Sequence, residues 1–230
     1  WSRTRSDNFR YTESVFNVFL VSRLICVEFQ TGDFSVGREL IDELSELFDS
    51  GFGSIIGAQG GAHLALAGMI SRDDSIYALA DSVAQRMLNK LSATNAGKVN
   101  ANISKSLIAV HREDKRLAQI QYDYFSRWQG LYTEPISTDH LLGLLSRTLG
   151  NLEDSEARFE DALVFCRKAN YRPELAWCLH DYADMLLERD EPGDSLKATT
   201  MLDEALQIST DLGMRPLMER ALSKRDILKA

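Results

Sequence analysis

The side chains best suited to chemistry in this sequence are its histidines and cysteines. They are His63, His111, His140 and His180, and Cys26, Cys166 and Cys178. No His-Glu-x-x-His segment occurs, and no cysteine or histidine set has the spacing of a zinc site. The cysteines form no Cys-x-x-Cys pair and lie in apolar helical patterns, where a free thiol behaves as a small hydrophobe. We therefore expect no metal, no cofactor, no catalytic site and three buried thiols, as in a reducing cytoplasm.

A glycine-rich segment covers residues 51–61, with the sequence GFGSIIGAQGG. A phosphate-binding Walker A loop needs a lysine followed by serine or threonine after its last glycine, and no lysine follows here. A dinucleotide-binding fingerprint needs a preceding strand, and the sequence indicates none. We interpret the glycines as positions that allow two helices to approach closely.

The composition indicates a helical protein. The chain has 230 residues, of which 44% are apolar, and only four prolines and fourteen glycines. All-β proteins of this size usually contain more turn residues. The apolar run from Val15 to Val21 follows three arginines, but Arg23 and Glu28 interrupt its continuation. No segment reaches the roughly 18 apolar residues of a membrane span, so we predict a buried first helix and no membrane partner.

An internal repeat with an offset of 43 residues relates the segments 150–179 and 193–222. Gly150 matches Gly193, and Arg172-Pro173 matches Arg215-Pro216. We predict that Gly150 ends one helix in the left-handed conformation and that Pro173 lies in the first turn of another. The acidic pairs Glu160-Asp161 and Asp203-Glu204 also recur, which favours a solvated helix face over an acid–base pair. Small residues are expected where paired helices cross closely, namely Gly143, Ala162, Ala183 and Ala205.

Helical periodicity extends over the rest of the chain and predicts about eleven helices. Before the repeat, helices are predicted over 12–30, 34–48, 54–70, 74–92, 97–111 and 113–130. Tyr132-Thr133-Glu134-Pro135 is the best candidate for an irregular joint. We therefore divide the chain into divergent helical hairpins over 1–134 and clear repeats over 135–230, continuous as one solenoid. The last helix, 216–228, lacks a full partner.

The net charge of the chain is −8, and most of the excess lies near its C-terminal end. Residues 150–230 contain 17 acidic and 11 basic side chains. Nucleic-acid binding requires a basic surface that displaces counterions from phosphate. Direct binding of DNA or RNA is therefore not expected, whereas basic partners are compatible with this charge.

Several phrases of the sequence resemble tetratricopeptide (TPR) units. They include Leu141-Leu142-Gly143-Leu144-Leu145, Phe159-Glu160-Asp161-Ala162-Leu163 and Leu202-Asp203-Glu204-Ala205-Leu206. They are most similar to the C-terminal TPR-like region of bacterial multidomain signalling ATPases. Those proteins carry either a nucleotide cyclase domain in front of the ATPase or a LuxR-type DNA-binding domain behind the repeats. The resemblance implies an all-α superhelix of antiparallel helical hairpins that acts as a sensor or scaffold arm.

The resemblance also implies a concave groove. If Gly143 and Ala183 are equivalent, then His140 and His180 are equivalent too, and this position faces the groove in TPR proteins. Further groove positions are Arg147, Trp177 and Asp184. Such residues suit a peptide or a small inducer held by charge-assisted contacts. The alternative is that they are ordinary residues of the hairpin surface, with Trp177 in the core.

Three functions follow from these expectations. The first is a non-catalytic protein- or ligand-binding module, the sensor arm of a signal-transduction ATPase or transcriptional regulator. The second is the C-terminal part of an adenylate or guanylate cyclase-type enzyme whose catalytic domains lie outside these residues. The third is a scaffold for homodimers, suggested by the unpaired last helix.

Overall fold

The computed structural model describes residues 2–47, 57–90 and 94–229, and these residues are all-helical. Eleven α-helices occur in the described part, as the periodicity predicts. They are α1 (Ser2–Thr31), α2 (Phe34–Leu47), α3 (Gly57–Ser71), α4 (Asp74–Leu88), α5 (Asn95–His111), α6 (Lys115–Phe125), α7 (Thr138–Leu149), α8 (Leu152–Ala169), α9 (Arg172–Arg189), α10 (Asp194–Leu212) and α11 (Arg215–Lys229). Among the described helices, none combines the length and apolar character needed to cross a bilayer.

The helix ends in the repeat region follow the signals in the sequence. Gly150 ends α7 with a φ of +84°, in the left-handed region that glycine enters without steric cost. Asn151 then caps α8, because its side chain accepts a hydrogen bond from the backbone N–H of Asp154. Pro173 lies in the first turn of α9, where its missing N–H leaves no helical hydrogen bond unmade. These predictions are confirmed.

Contacts divide the chain into two compact units. One comprises residues up to 108 except 30–32, and the other comprises residues from 109 onward together with Gln30–Gly32. Within the second unit an irregular segment precedes α7, as expected around Tyr132 and Pro135. It contains a short 3-10 helix, Ser126–Trp128, and an isolated antiparallel bridge between Tyr132 and Ser137.

In the second unit, α9 is the central helix. It contacts its chain neighbours α8 and α10, and also the helices two places away, α7 and α11. Close packing of α7 on α8 depends on Gly143, since a Cβ atom at this position would lie 2.9 Å from the ring of Phe159. The small residues Ala162, Ala183 and Ala205 are all fully buried. Small side chains at the expected positions therefore allow these helices to pack tightly.

In the first unit, α3 packs on α4 and carries part of the glycine-rich segment. A Cβ at Gly61 would lie 3.1 Å from Val83 and 3.2 Å from Ser104. This contact supports the interpretation that the glycines permit close helix packing. Residues 51–56 of the same segment lie outside the described residues.

The first helix differs from the expectation that it is buried. Val18, Ile25 and Phe29 form a buried face of α1, but Phe16 is 62% exposed and Val27 is 53% exposed. Apolar residues are too frequent here for all of them to face one neighbour, because a helix packed on one side buries only part of its circumference. The prediction of a buried first helix is therefore confirmed for one face of α1 and is wrong for the face that carries Phe16 and Val27.

Candidate functional site

The five residues predicted to line a groove lie on two helices of the second unit that contact each other. His140 and Arg147 belong to α7, and Trp177, His180 and Asp184 belong to α9. His140, Trp177 and His180 are buried, with exposed fractions of 1%, 4% and 3%. The side chains of Arg147 and Asp184 are 29% and 16% exposed. The structure brings the five residues together, but only Arg147 and Asp184 reach the surface, and their role in binding stays a prediction.

The two buried histidines share one carboxylate. Asp181 Oδ2 lies 3.0 Å from His140 Nε2, and Asp181 Oδ1 lies 2.9 Å from His180 Nδ1. A carboxylate only accepts hydrogen bonds, so each of these ring nitrogens must carry the proton. Asp181 therefore joins α7 to α9 through two imidazole rings.

A second acid in the first turn of α9 completes this network. Glu174 Oε1 accepts a hydrogen bond of 2.5 Å from the backbone N–H of Ser137, the residue that caps α7. The same oxygen lies 3.6 Å from His140 Nδ1, an ion-pair distance rather than a hydrogen bond. Glu174 thus holds the beginning of α7 against α9 and faces the ring that Asp181 binds from the other side.

The charges in this network stabilise one another. Burial disfavours the charged form of His140, but Asp181 and Glu174 favour it more strongly and raise its pKa to about 9. Burial also opposes ionisation of Asp181, yet its hydrogen bonds with His140 and His180 hold the pKa of this carboxyl well below its usual range. His140 and Asp181 are therefore a buried ion pair at neutral pH.

The partly exposed residues form a row of ion pairs from α7 to α11. Arg147 Nε lies 2.7 Å from Glu188 Oε2, and Arg147 Nη1 lies 3.8 Å from Asp184 Oδ2. Asp184 also pairs with Lys224 on α11. Ion pairs thus link α7, α9 and α11 across the surface of the second unit.

A polar cavity of about 470 Å³ opens beside Arg147. Its charged residues come from three places in the chain, and Val110 and Leu144 supply apolar surface. It is lined by Val110, Glu113, Lys115, Leu144, Arg147, Thr148, Gly150 and Glu188. A volume of this size suits a small ligand or a few side chains of a peptide.

Sequence reasoning found Arg147 but missed the residues that share its cavity. Glu188 could have been found, because it lies four residues after Asp184 and therefore on the same face of α9. Lys115 and Glu113 gave no such signal, because only the tertiary packing brings the turn before α6 next to the end of α7. Asp181 was also missed, although it directly follows His180 in the sequence.

Three acids of the recurring pairs, Glu160, Asp203 and Glu204, take part in surface ion pairs. Glu160 lies 2.8 Å from Lys197 Nζ and accepts a hydrogen bond of 2.7 Å from the hydroxyl of Tyr182. Glu204 pairs with Arg167 at 2.7 Å, and Asp203 pairs with Arg225. These acids link neighbouring helices at partly exposed positions, which supports a structural role over acid–base chemistry.

Comparison with known proteins gives no further guide to this site. No protein-family model matches the chain, and neither the curated proteins nor the solved structures contain a match.

Proposed function

We propose that this chain is a non-catalytic binding module with a TPR-like superhelical arrangement of its helical hairpins. Its role is that of a sensor or scaffold arm in a bacterial signal-transduction ATPase or transcriptional regulator. Two features support the arrangement. Contacts of α9 with α7 and α11 are those expected when successive hairpins stack side by side. The phrases that resemble TPR units lie in α7, α8 and α10 of the same unit.

The observation that carries the binding role is the cavity at Arg147. It combines charged groups of both signs with apolar surface, the composition of a site that orients a polar ligand. Arg147 is already held in place by Glu188 and Asp184, so its planar donor group requires little ordering when a ligand binds. The proposed ligand is a peptide segment of a partner protein or a small polar inducer.

A matched pair of variants tests this proposal. Arg147→Ala removes the cavity arginine, and Arg167→Ala removes an arginine of α8 whose pair with Glu204 has the same 2.7 Å separation. Arg167 is not among the cavity residues, so its replacement controls for the loss of one surface ion pair. One probe is an immobilised array of short peptides of graded net charge. The other is a panel of small polar metabolites, whose binding is measured as a shift in melting temperature.

The expected result is a subset of ligands that the wild-type chain and Arg167→Ala both retain and that Arg147→Ala loses. If the wild-type chain retains no ligand, or if all three proteins retain the same ligands equally, the cavity is not a binding site. Circular dichroism of the three proteins checks that each is folded before the comparison is made.

A further inference from the structure

The cavity beside Arg147 is lined both by charges that are paired and by charges that are not. Arg147 is paired with Glu188 at 2.7 Å. The side chains of Glu113 and Lys115 line the same cavity, yet neither forms a hydrogen bond or an ion pair with another described residue. Within the described part of the chain, the cavity therefore offers an unpaired carboxylate and an unpaired ammonium group to a ligand.

The lining as a whole carries no net charge. Its ionisable side chains are two acids, Glu113 and Glu188, and two bases, Lys115 and Arg147. A ligand that enters the cavity loses part of its water, so each of its charges needs a charge of opposite sign beside it. A purely anionic ligand would have to face both glutamates, and a purely cationic ligand would have to face both bases. A ligand with one charge of each sign matches both unpaired groups.

Apolar surface from Val110 and Leu144 lies in the same cavity. Leu144 is only 4% exposed and belongs to the buried core. A short aliphatic side chain of a ligand would cover this surface and remove it from water. The volume of about 470 Å³ lies in the range of sites that hold small molecules. The cavity thus combines aliphatic surface with two unpaired charges of opposite sign.

The backbone at Glu113 allows a sharp test of its carboxylate. This residue lies in the turn between α5 and α6 with a φ of +51°, in the left-handed region that favours glycine. In the turns after α7 and α10, the residues with this conformation are Gly150 and Gly213. A glycine would fit the turn at residue 113 at least as well as glutamate, so the carboxylate can be removed without disturbing the backbone.

We propose that the cavity binds a small zwitterion with an aliphatic side chain, as in a free aliphatic amino acid or a dipeptide. Lys115 pairs with the carboxylate of the ligand, and Glu113 pairs with its ammonium group. Val110 and Leu144 contact the aliphatic part. This assignment rests on the binding role proposed above for the cavity, and it adds the chemical class of the ligand.

Isothermal titration calorimetry with leucine and leucyl-leucine tests the proposal and distinguishes a free amino acid from a short peptide. Each ligand is also used in two blocked forms, one with its carboxylate amidated and one with its amine acetylated. The variants are Lys115→Gln and Glu113→Gly. Their controls lie outside the cavity: Lys168→Gln alters an exposed lysine of α8, and Asp190→Gly replaces an exposed acid with a φ of +54° at the end of α9. Circular dichroism establishes that each variant is folded.

The wild-type chain should bind at least one of the two zwitterions, and bind it at least about tenfold more tightly than either blocked form, because each block removes a charge-assisted pair. Lys115→Gln should weaken the zwitterion to about the level of the amidated form and leave the amidated form unchanged. Glu113→Gly should act in the same way on the acetylated form, with its melting temperature retained or raised. Both controls should keep the wild-type affinities.

The proposal is overturned if neither zwitterion binds, or if amidation and acetylation leave the affinity unchanged. It is also overturned if Lys115→Gln and Glu113→Gly bind as the wild-type chain does, or if the controls weaken binding as much. A ligand of another class that depends on Arg147 would sustain the binding role of the cavity while this assignment fails, so the two failures are distinguishable.

Discussion

Replacing His140 by alanine removes one of the two imidazole partners of the buried Asp181 carboxylate. The side chain of Asp181 is only 11% exposed, so water does not replace the lost partner. Breaking a buried ion pair on one side costs about 3–5 kcal/mol, because the remaining charge is left uncompensated. Loss of packing against Phe159, whose ring centroid lies 6.0 Å from that of His140, adds to this cost. We therefore expect the free energy of unfolding of the second unit to fall by about 3–5 kcal/mol.

Urea denaturation followed by tryptophan fluorescence measures this loss, since Trp128 and Trp177 both belong to the second unit. The control is Arg116→Ala, an exposed replacement on α6 expected to change stability by less than about 0.5 kcal/mol. Combining His140→Ala with Asp181→Asn removes the stranded charge, so the double variant should lose less stability than the sum of the single variants, by about 1 kcal/mol or more. A loss below about 1 kcal/mol for His140→Ala, or strict additivity in the cycle, would refute the buried ion pair.

Three further outcomes are expected. Hydrogen bonds from Ser75 and Arg38 lower the pKa of Asp73, the capping residue of α4, to about 2. The contribution of this carboxylate to stability is therefore present above about pH 3.8 and is lost as the pH falls towards 2. Asp73→Asn should abolish this acid-dependent part of the stability in thermal melts, and an unchanged pH profile would contradict the prediction. Gly143→Ala should cost about 1–3 kcal/mol in urea melts, with part of the loss recovered on adding Phe159→Leu, and a neutral effect would argue against the close helix contact. Burial raises the pKa of the Cys166 thiol to about 12, and all three cysteines are buried. A thiol reagent should therefore label the folded chain slowly and the unfolded chain at three sites. Fast labelling of the folded chain would contradict the burial of the thiols.

Local signals account for the part of the fold that the sequence could predict. Gly150 and Pro173 act within a turn or two of their own positions, so their effects are visible in the sequence without knowledge of packing. Gly143 was identifiable because a small residue within an apolar helical pattern marks a close crossing. The exposure of Phe16 was not predictable, because an apolar pattern does not show which sides of a helix find a neighbour.

The candidate site was predictable only in part, because its groups come from distant segments. The equivalence of His140 and His180 was a hypothesis that depended on matching Gly143 with Ala183. The burial of these histidines and their shared carboxylate depend on how α7 packs on α9. Polar residues that join two buried helices have the same sequence signature as polar residues on an exposed face. The cavity depends further on Lys115, which no repeat pattern connects with Arg147.

The measurement that tests the binding role most directly is the dissociation constant of the tightest ligand from the array or metabolite panel. Isothermal titration calorimetry would give it for the wild-type chain, Arg147→Ala and Arg167→Ala under identical conditions. A charge-assisted hydrogen bond contributes about 1.5–3 kcal/mol, so we predict that Arg147→Ala binds more weakly by about 10-fold to 150-fold. Arg167→Ala should retain the wild-type affinity. Equal dissociation constants for the wild-type chain and Arg147→Ala would contradict a binding site at this cavity.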